Sequence, residues 1–201
     1  MTNIVEFREQ NKAAYKSKNG VNLNFLSLVY KALVTAIQKY PVINASYVDT
    51  KEPHEIRLFK SINLGIACGT EHGLMIPVVH GIESLNFADF NSQVNDKVSK
   101  AQNKKLMPDD MAGATIIFNN YGFFGTNLGV QVIQYPMACT LGMSTIEKRV
   151  VPLADGGIDV RTMCDFVLSF DHRVMDGRET GLFLGELKKQ IETIDLGSIN
   201  I

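Results

Sequence analysis

The sequence has few cysteines, and the three present are not arranged as a metal site or a redox pair. Cys68, Cys139 and Cys164 are widely spaced, with no Cys-x-x-Cys pair and no histidine at zinc-ligand spacing. Dispersed cysteines of odd number are typical of small core residues in a reducing compartment. We therefore expect no metal, and a cytoplasmic protein, or a protein of the mitochondrial matrix if its source is eukaryotic.

Long apolar runs and an excess of charge are also missing. No apolar run approaches the roughly 20 residues that span a bilayer, and the first residues lack the apolar segment of a signal peptide. Lys and Arg number 20 against 21 Asp and Glu, for a net charge of -1. The positive surface of a nucleic-acid-binding protein is therefore not indicated. We expect neither a membrane nor a nucleic acid as partner.

Several common catalytic and nucleotide-binding motifs are absent as well. The chain has no Gly-x-Ser-x-Gly elbow, no His-Glu-x-x-His pair, no Gly-x-Gly-x-x-Gly and no Walker lysine loop. Interpretations as a hydrolase of that type, a metalloprotease or a nucleotide-binding protein therefore lose their usual support.

The composition and patterning that remain are those of one globular domain. Hydrophobic residues make up 45% of the 201 residues and charged residues 20%, which suits a chain with one sizeable core. Apolar spacing predicts helices over about 3–19 after Thr2, over 24–40, over 85–101 and from 177 onward. Short β-branched stretches predict strands at 57–59, 62–68, 74–79, 114–118, 138–143 and 164–170, with a hairpin at 155–157. Without strict alternation of helix and strand, this order predicts an α+β fold, a mixed β-sheet sandwich with packed helices.

One of the four histidines differs from the others in its setting. His54, His72 and His80 lie in or beside polar turns, whereas His172 directly follows a strongly apolar strand and precedes Asp176 by four residues. A strand end that delivers an imidazole into a turn is a common way to fix a general base. In the alternative interpretation His172 is a hydrogen-bonded core residue, and Asp176 is a helix N-cap in a capping box with Glu179. Spacing alone leaves both open.

Four ordered blocks of sequence carry a resemblance to a known family. The segment Asp171–Gly177, Asp-His-Arg-Val-Met-Asp-Gly, looks like the active-site signature of the dihydrolipoamide acyltransferases of 2-oxo acid dehydrogenase complexes. Upstream, Gly113–Gly125 is similar to that family's strand and Gly-rich turn, Lys105–Met111 to the segment before it, and Gly73–Val79 to its Gly-Leu-x-x-Pro-Val strand. Chloramphenicol acetyltransferase carries a related His-x-x-x-Asp-Gly segment, so the resemblance implies a chloramphenicol acetyltransferase-like fold.

The resemblance also implies an activity and partners. Residues 1–201 would form the catalytic core domain, truncated at its N-terminus, with the lipoyl and subunit-binding domains absent. The domain would move an acyl group between dihydrolipoamide and coenzyme A, with coenzyme A as substrate and the lipoyl group on a separate domain. It would form trimers that assemble into a cage, and the missing domains would recruit the 2-oxo acid decarboxylase and dihydrolipoamide dehydrogenase.

By the same resemblance, each candidate residue has a role. His172 would be the general base, Asp176 would hold its turn through Arg173 or a backbone amide, and Asn119 would donate to the oxyanion where the family usually has Ser or Thr. His172 of one chain would face Asn119 of its neighbour. The site would be supported by Asp171, Arg173 and Gly177, and the substrate and coenzyme A channel would include Asn120, Gly122, Gly125 and Ser169.

Two other functions stay open on the sequence. Because Asn119 departs from the family pattern, the chain could be a scaffold core with weak or no catalysis that gathers partner enzymes. An acetyltransferase acting on a small hydroxyl acceptor is the second, and the blocks at 105–111 and 113–125 disfavour it. The acyl group could be acetyl, succinyl or branched-chain. We further expect the apolar tail residues Ile199 or Ile201 to dock on a neighbouring trimer.

Overall fold

A computed structural model describes residues 1–50 and 54–199, in which helices and strands are mixed along the chain. Four α-helices lie in these ranges: α1 (Thr2–Asn19), α2 (Phe25–Lys39), α3 (Phe87–Gln102) and α4 (Gly177–Glu192). The strands of the same ranges are β1 (Ala45–Val48), β2 (Glu55–Leu58), β3 (Leu64–Ile66), β4 (Cys68–Thr70), β5 (Gly73–Met75), β6 (Val78–Val79), β7 (Ile116–Asn120), β8 (Cys139–Met143), β9 (Glu147–Pro152), β10 (Ile158–Met163) and β11 (Phe166–Phe170). The predicted α+β class is confirmed.

The central sheet has five strands in the order β11-β8-β7-β3-β6. Strand β7 runs parallel to β3 and β8, whereas β11 and β6 are antiparallel to their neighbours. Residues that are paired across strands share a face of the sheet, because side chains alternate along each strand. One face carries buried apolar residues of the main core, among them Leu64, Ile116, Phe118, Cys139 and Leu141.

The helices cover that apolar face. Helix α2 contacts both α3 and α4, while α3 also contacts β6 and α4 contacts β11. The side chain of Asn24 caps α2 by accepting a hydrogen bond from the Ser27 amide at 2.9 Å, so this helix begins where its apolar spacing predicted. Helix α1 contacts α2 and β10, and the Thr162 amide of β10 donates to the Thr2 hydroxyl at 3.1 Å. Thr2 is thus inside the first helix and not ahead of it.

The other face of the sheet is covered by an extended segment, residues 128–134, which lacks regular secondary structure. Burial alternates along it: Leu128, Val130 and Val132 are exposed, whereas Gly129 and Gln131 are half-buried against the sheet. The hydroxyl of Thr140 in β8 donates to the Val132 carbonyl at 3.3 Å and ties the segment down. This face carries Asn119 and Ser169, so the covering segment lies beside two of the predicted site residues.

The strand predictions are partly wrong. The hairpin at 155–157 is present, but it joins β9 and β10, two strands that the sequence did not predict. The stretches 62–68 and 74–79 are broken into β3 to β6. Strand β7 continues through Asn119 and Asn120 because they pair with Gly142 and Met143 of β8, so both asparagines lie in the strand and not after it. Among the described residues, no helix is both long enough and apolar enough to cross a membrane.

The described part of the tail packs on its own chain. Residues Leu196–Ser198 form a short 3-10 turn, and the Ile199 amide donates to the Leu196 carbonyl at 3.2 Å. Ile199 is 8% exposed and belongs to the hydrophobic core of its own chain. The 3-10 turn thus returns Ile199 to the core of its own chain, and the docking of Ile199 or Ile201 on a neighbouring trimer stays a prediction. Ile201 lies outside the described residues.

Candidate active site

His172 lies in a tight turn between β11 and α4. The Asp171 amide donates to the Ala138 carbonyl at 2.8 Å, and the Val174 amide closes the turn on the Asp171 carbonyl at 3.0 Å. Val174 and Met175 are buried, whereas His172 is exposed, with its ring 5.7 Å from the Phe170 ring. The turn is thus anchored in the core from below and presents its imidazole outward.

Asp176 caps helix α4. Its carboxylate accepts hydrogen bonds from the amides of Arg178 at 2.7 Å and Glu179 at 3.3 Å, while the Glu179 side chain accepts from the Asp176 amide at 3.2 Å. The capping box of the alternative interpretation is therefore present, but the imidazole is exposed and not a core residue. The pKa of Asp176 is lowered, first by a hydrogen bond with the Glu179 side chain and then by the two amides. The charge of His172 lowers it more weakly. The sequence left open whether Asp176 acts through Arg173 or through a backbone amide, and in the structure its partners are backbone amides.

Arg173 instead pairs with Asp171 and an aromatic ring. Its guanidinium donates to both Asp171 oxygens, with Nε–Oδ1 at 3.0 Å and Nη2–Oδ2 at 2.7 Å, and its central carbon lies 3.9 Å from the centre of the Tyr47 ring. The hydrogen bond from Arg173 lowers the pKa of Asp171. Sequence reasoning missed Tyr47, because β1 was not predicted. These three residues brace the His172 turn against the end of β1.

The predicted channel residues are not together: Asn120, Gly122 and Gly125 lie at or just after the carboxyl end of β7, whereas Ser169 lies in β11 near the His172 turn. Asn119 and Ser169 share the face under the covering segment, whereas Asn120, next along the strand, points to the opposite face. The oxygen atoms Asn120 Oδ1 and Ser169 Oγ are buried without a hydrogen-bond partner among the described residues. Asn119 and Ser169 thus share a face but not a row, because Asn119 is paired with Gly142 and Ser169 with Thr140, two residues away along β8.

Two of the predicted channel glycines have clear structural roles. A Cβ built on Gly122 would lie 2.1 Å from the Ser144 carbonyl carbon and 2.2 Å from the Thr145 nitrogen, so this turn packs directly on the backbone beyond β8. Gly125 ends the same turn with a φ of 78°, in the left-handed region that favours glycine. Gly177 has neither constraint, since a Cβ there would meet nothing within 4 Å.

Asn119 and His172 are not brought together within one protomer. Asn119 is paired with Gly142 of β8, and Phe170, two residues before His172, is paired with Cys139. These two positions are three residues apart along β8. Three residues of strand span about 10 Å, and His172 lies further out, beyond Phe170 and across two strands. The two side chains therefore cannot reach one reacting atom unless different copies of the chain supply them.

Two surface grooves and the cysteines add no further candidate. Grooves of about 400 and 180 Å³ lie elsewhere, lined together by Leu74, Met75, Ile76, Met111, Gly113, Ala114, Gln134, Tyr135, Pro136 and Met137, none of which is a predicted site residue. Burial raises the pKa of Cys68 and Cys164 to about 11 and that of Cys139 to about 12. Near neutral pH these thiols are protonated and poorly nucleophilic. Among the described residues, no group of three or more His, Cys, Asp or Glu is placed to hold a metal ion.

Comparison with solved structures defines the fold class. A chloramphenicol acetyltransferase superposes with a TM-score of 0.55 at 14% identity, covering 92% of this chain and 82% of that chain. A probable dihydrolipoamide acetyltransferase of Listeria monocytogenes superposes with a TM-score of 0.92 at 30% identity, covering 99% of this chain and 83% of that chain. The fold is that of the chloramphenicol acetyltransferase-like acyltransferases.

Comparison of sequences gives the family. The model of the 2-oxoacid dehydrogenases acyltransferase (catalytic domain) matches residues 1–197, and the chain belongs to this family. The human mitochondrial dihydrolipoyllysine-residue succinyltransferase component of the 2-oxoglutarate dehydrogenase complex is 37% identical over 193 residues, which cover 96% of this chain and 42% of the relative. The dihydrolipoyllysine-residue acetyltransferase component of the pyruvate dehydrogenase complex of Mycobacterium tuberculosis is 39% identical over 197 residues, which cover 96% and 35%. The chain thus spans less than half the length of these relatives.

Two further solved structures bear on the site and on assembly. The dihydrolipoamide acetyltransferase of Azotobacter vinelandii was solved to examine the role of a serine, a histidine and an asparagine in its catalytic mechanism, the asparagine four positions after the histidine; it has a TM-score of 0.89 at 26% identity, covering 96% of this chain and 78% of that chain. The cubic core of a pyruvate dehydrogenase multienzyme complex has the same TM-score of 0.89 at 27% identity and the same coverage, 96% and 78%.

Proposed function

We propose that this chain transfers an acyl group between dihydrolipoamide and coenzyme A, as the catalytic core of a 2-oxo acid dehydrogenase complex, with His172 as general base. The observation that carries the proposal is the His172 turn, which is fixed by buried neighbours yet exposes its imidazole, in a chain of the acyltransferase family. The Azotobacter vinelandii enzyme supports it, because its histidine and asparagine have the spacing of His172 and Asp176.

The chemistry follows from a base beside a thiol. His172 takes the proton of the coenzyme A thiol, and the resulting thiolate attacks the carbonyl carbon of the acyl-dihydrolipoamide thioester. The carbonyl oxygen becomes an oxyanion, and the Asn119 amide N–H donates a hydrogen bond to it, which is worth about 3 kcal/mol in such sites. As the intermediate collapses, the carbon–sulfur bond to dihydrolipoamide breaks and His172 returns the proton to the leaving sulfur. Asp176 keeps α4 and the turn in place.

We further propose that each active site lies between two copies of the chain. Asn119 and His172 of one copy are too far apart to share a reacting atom, so the site is complete only when His172 of one copy faces Asn119 of the next. The covering segment offers a surface for such a contact, since Leu128, Val130 and Val132 are 75%, 80% and 89% exposed. Apolar surface of this kind usually marks an interface. We propose that the copies form trimers and that the trimers build a larger core. The similar fold of the cubic core of a pyruvate dehydrogenase complex supports this assembly.

The proposal extends to partners and location. The lipoyl group would arrive on a separate domain, and the decarboxylase and dihydrolipoamide dehydrogenase would be recruited by segments outside this domain, which together would account for the greater length of the relatives. Free thiols at Cys68, Cys139 and Cys164 suit the reducing cytoplasm, or the mitochondrial matrix of a eukaryote.

Acyl transfer to free dihydrolipoamide tests the function directly. The purified chain is given acetyl-CoA, succinyl-CoA and isobutyryl-CoA in separate reactions, because the sequence leaves acetyl, succinyl and branched-chain groups open. We expect turnover with at least one donor, and a loss of 10²-fold or more in His172→Ala with an unchanged circular dichroism spectrum. An oligomeric protein that turns over no donor would favour the scaffold function that Asn119 leaves open.

A further inference from the structure

Gln131 of the covering segment occupies a gap in the sheet beside Asn119. A Cβ built on Gly142 would lie 2.0 Å from Gln131 Oε1 and 2.5 Å from its carboxamide carbon, so the carboxamide lies where Gly142 has no side chain. Gly142 is the residue paired with Asn119 in the neighbouring strand. Because paired residues share a face, the Asn119 and Gln131 side chains are neighbours on that face.

The hydrogen bonds of Gln131 fix which end of its carboxamide is free. The nitrogen Nε2 donates to the Gly129 carbonyl at 3.2 Å, whereas Oε1 is buried and has no partner in the described part of the chain. A buried acceptor without a donor is destabilising, so a nearby N–H group that can rotate toward it gains by doing so. Asn119, across the gap at Gly142, carries such a group.

We propose that Gln131 is a positioning residue for Asn119: its Oε1 accepts one hydrogen of the Asn119 amide nitrogen and leaves the second hydrogen for the oxyanion. This inference rests on the acyl transfer proposed above. An amide nitrogen has two hydrogens to donate and a hydroxyl has only one. A fixed acceptor beside Asn119 therefore aligns an asparagine for catalysis, whereas it would compete with the oxyanion for the single hydrogen of a serine.

Because asparagine has two hydrogens to donate and serine has one, removing the Gln131 acceptor should affect kcat differently with Asn and with Ser at position 119. Gln131→Leu is made in the wild-type chain and in the Asn119→Ser chain, and kcat and KM for coenzyme A are measured. In the wild type we expect kcat to fall roughly three- to tenfold with KM unchanged, the range expected for one neutral hydrogen bond. In the Asn119→Ser chain, Gln131→Leu should leave kcat unchanged or raise it. Gly142→Ala, which expels the carboxamide, should reproduce both results.

Controls separate this role from a structural one and from the activity itself. Gln93→Leu makes the same change at a half-buried glutamine of helix α3, away from this face, and should change kcat equally little in both backgrounds. Equal losses from Gln131→Leu in both backgrounds, or no loss in the wild type, would overturn the proposal. A crystal structure gives a readout that needs no activity: Asn119 Nδ2 should lie within about 3.2 Å of Gln131 Oε1. A longer distance rejects the pairing, whereas a short distance in an enzyme without turnover rejects only the proposed function.

Discussion

Asn119 and His172 lie near opposite ends of strand β8 of the five-stranded sheet. Asn119 is paired with Gly142 of β8, and His172 lies beyond Phe170, which is paired with Cys139. The fold of a single chain therefore separates the proposed oxyanion donor from the proposed base, while the same fold in a second copy can supply the missing partner.

Mixed oligomers test this arrangement. His172→Ala and Asn119→Ala chains should each be inactive or nearly so, and subunit exchange between them should restore part of the activity, since some interfaces then pair an intact His172 with an intact Asn119. Exchange is verified with differently tagged chains, and turnover is measured before and after. Recovery should be absent when two different His172 variants are mixed. Verified exchange without recovery would overturn the site shared between two copies, and with it the role of Asn119 as the donor opposite His172.

Asp176 should act through the helix cap. Asn is as good an N-cap as Asp, so Asp176→Asn should keep both the thermal midpoint and most of the activity, whereas Asp176→Ala should lower the midpoint by about 2–4 °C. The activity loss in Asp176→Ala should be smaller than in His172→Ala, because a positioning group costs less than the base. If Asp176→Asn were as inactive as His172→Ala, the carboxylate charge itself would be required.

The sequence could predict the parts of the fold that depend on neighbouring residues. Helices α2 and α4 follow from apolar spacing and from the caps Asn24 and Asp176. Strand β1 could not be predicted, because Ala45 and Ser46 are both buried and show no alternation between apolar and polar. The candidate site was predicted to the same extent: the His172 turn is local, and the family resemblance supplied Asn119.

Contacts between residues far apart in the sequence account for what was missed. The contact between Arg173 and Tyr47 depends on where β1 ends relative to β11. The position of the Gln131 carboxamide depends on the strand register that places Gly142 beneath it. Neither contact leaves a periodic pattern. The stretch 62–68 is divided into β3 and β4 because its residues pair with different strands. Short apolar stretches do not specify their pairing partners.

The glycines of the predicted site, Gly122 and Gly125 in the channel and Gly177 in its support, should differ in their tolerance of alanine. Gly122→Ala should destabilise the protein by roughly 3 kcal/mol, because the new methyl group would overlap the backbone at Ser144 and Thr145. Gly125→Ala should cost about 1 kcal/mol for its positive φ, and Gly177→Ala should stay within about 0.5 kcal/mol. Urea unfolding measures all three. A stable but inactive Gly177→Ala would show that this glycine serves substrate or a second copy and not the fold of its own chain.

The Asp171–Arg173 pair should make stability depend on pH in the acid range. Because Arg173 holds the folded-state pKa of Asp171 below its ordinary value of 3.8, the pair stabilises the protein fully above that value, and the contribution is lost as pH falls through the folded-state pKa. Asp171→Asn should therefore be less stable than the wild type at pH 6, with the difference shrinking below about pH 4. Urea unfolding at several pH values measures this difference. Asp159→Asn, at a more exposed pair with Arg161, is the matched control and should change the stability less at pH 6, because solvent screens that pair. A difference that stays constant down to pH 2 would mean that the carboxylate is not the source.

Ile199 should stabilise its own chain. It is 8% exposed and packed in the core, so Ile199→Ala should lower the free energy of unfolding by about 2–5 kcal/mol, with the low end expected near a terminus. Ile158→Ala, at a side chain that is 77% exposed on β10, is the matched control and should change it by less than about 0.5 kcal/mol. Thermal unfolding and light scattering are measured on the same samples. Since the side chain is covered by its own protomer, the folded Ile199→Ala protein should keep its oligomeric size. An unchanged thermal midpoint together with a smaller particle would instead mean that Ile199 leaves its own core and packs on another copy of the chain.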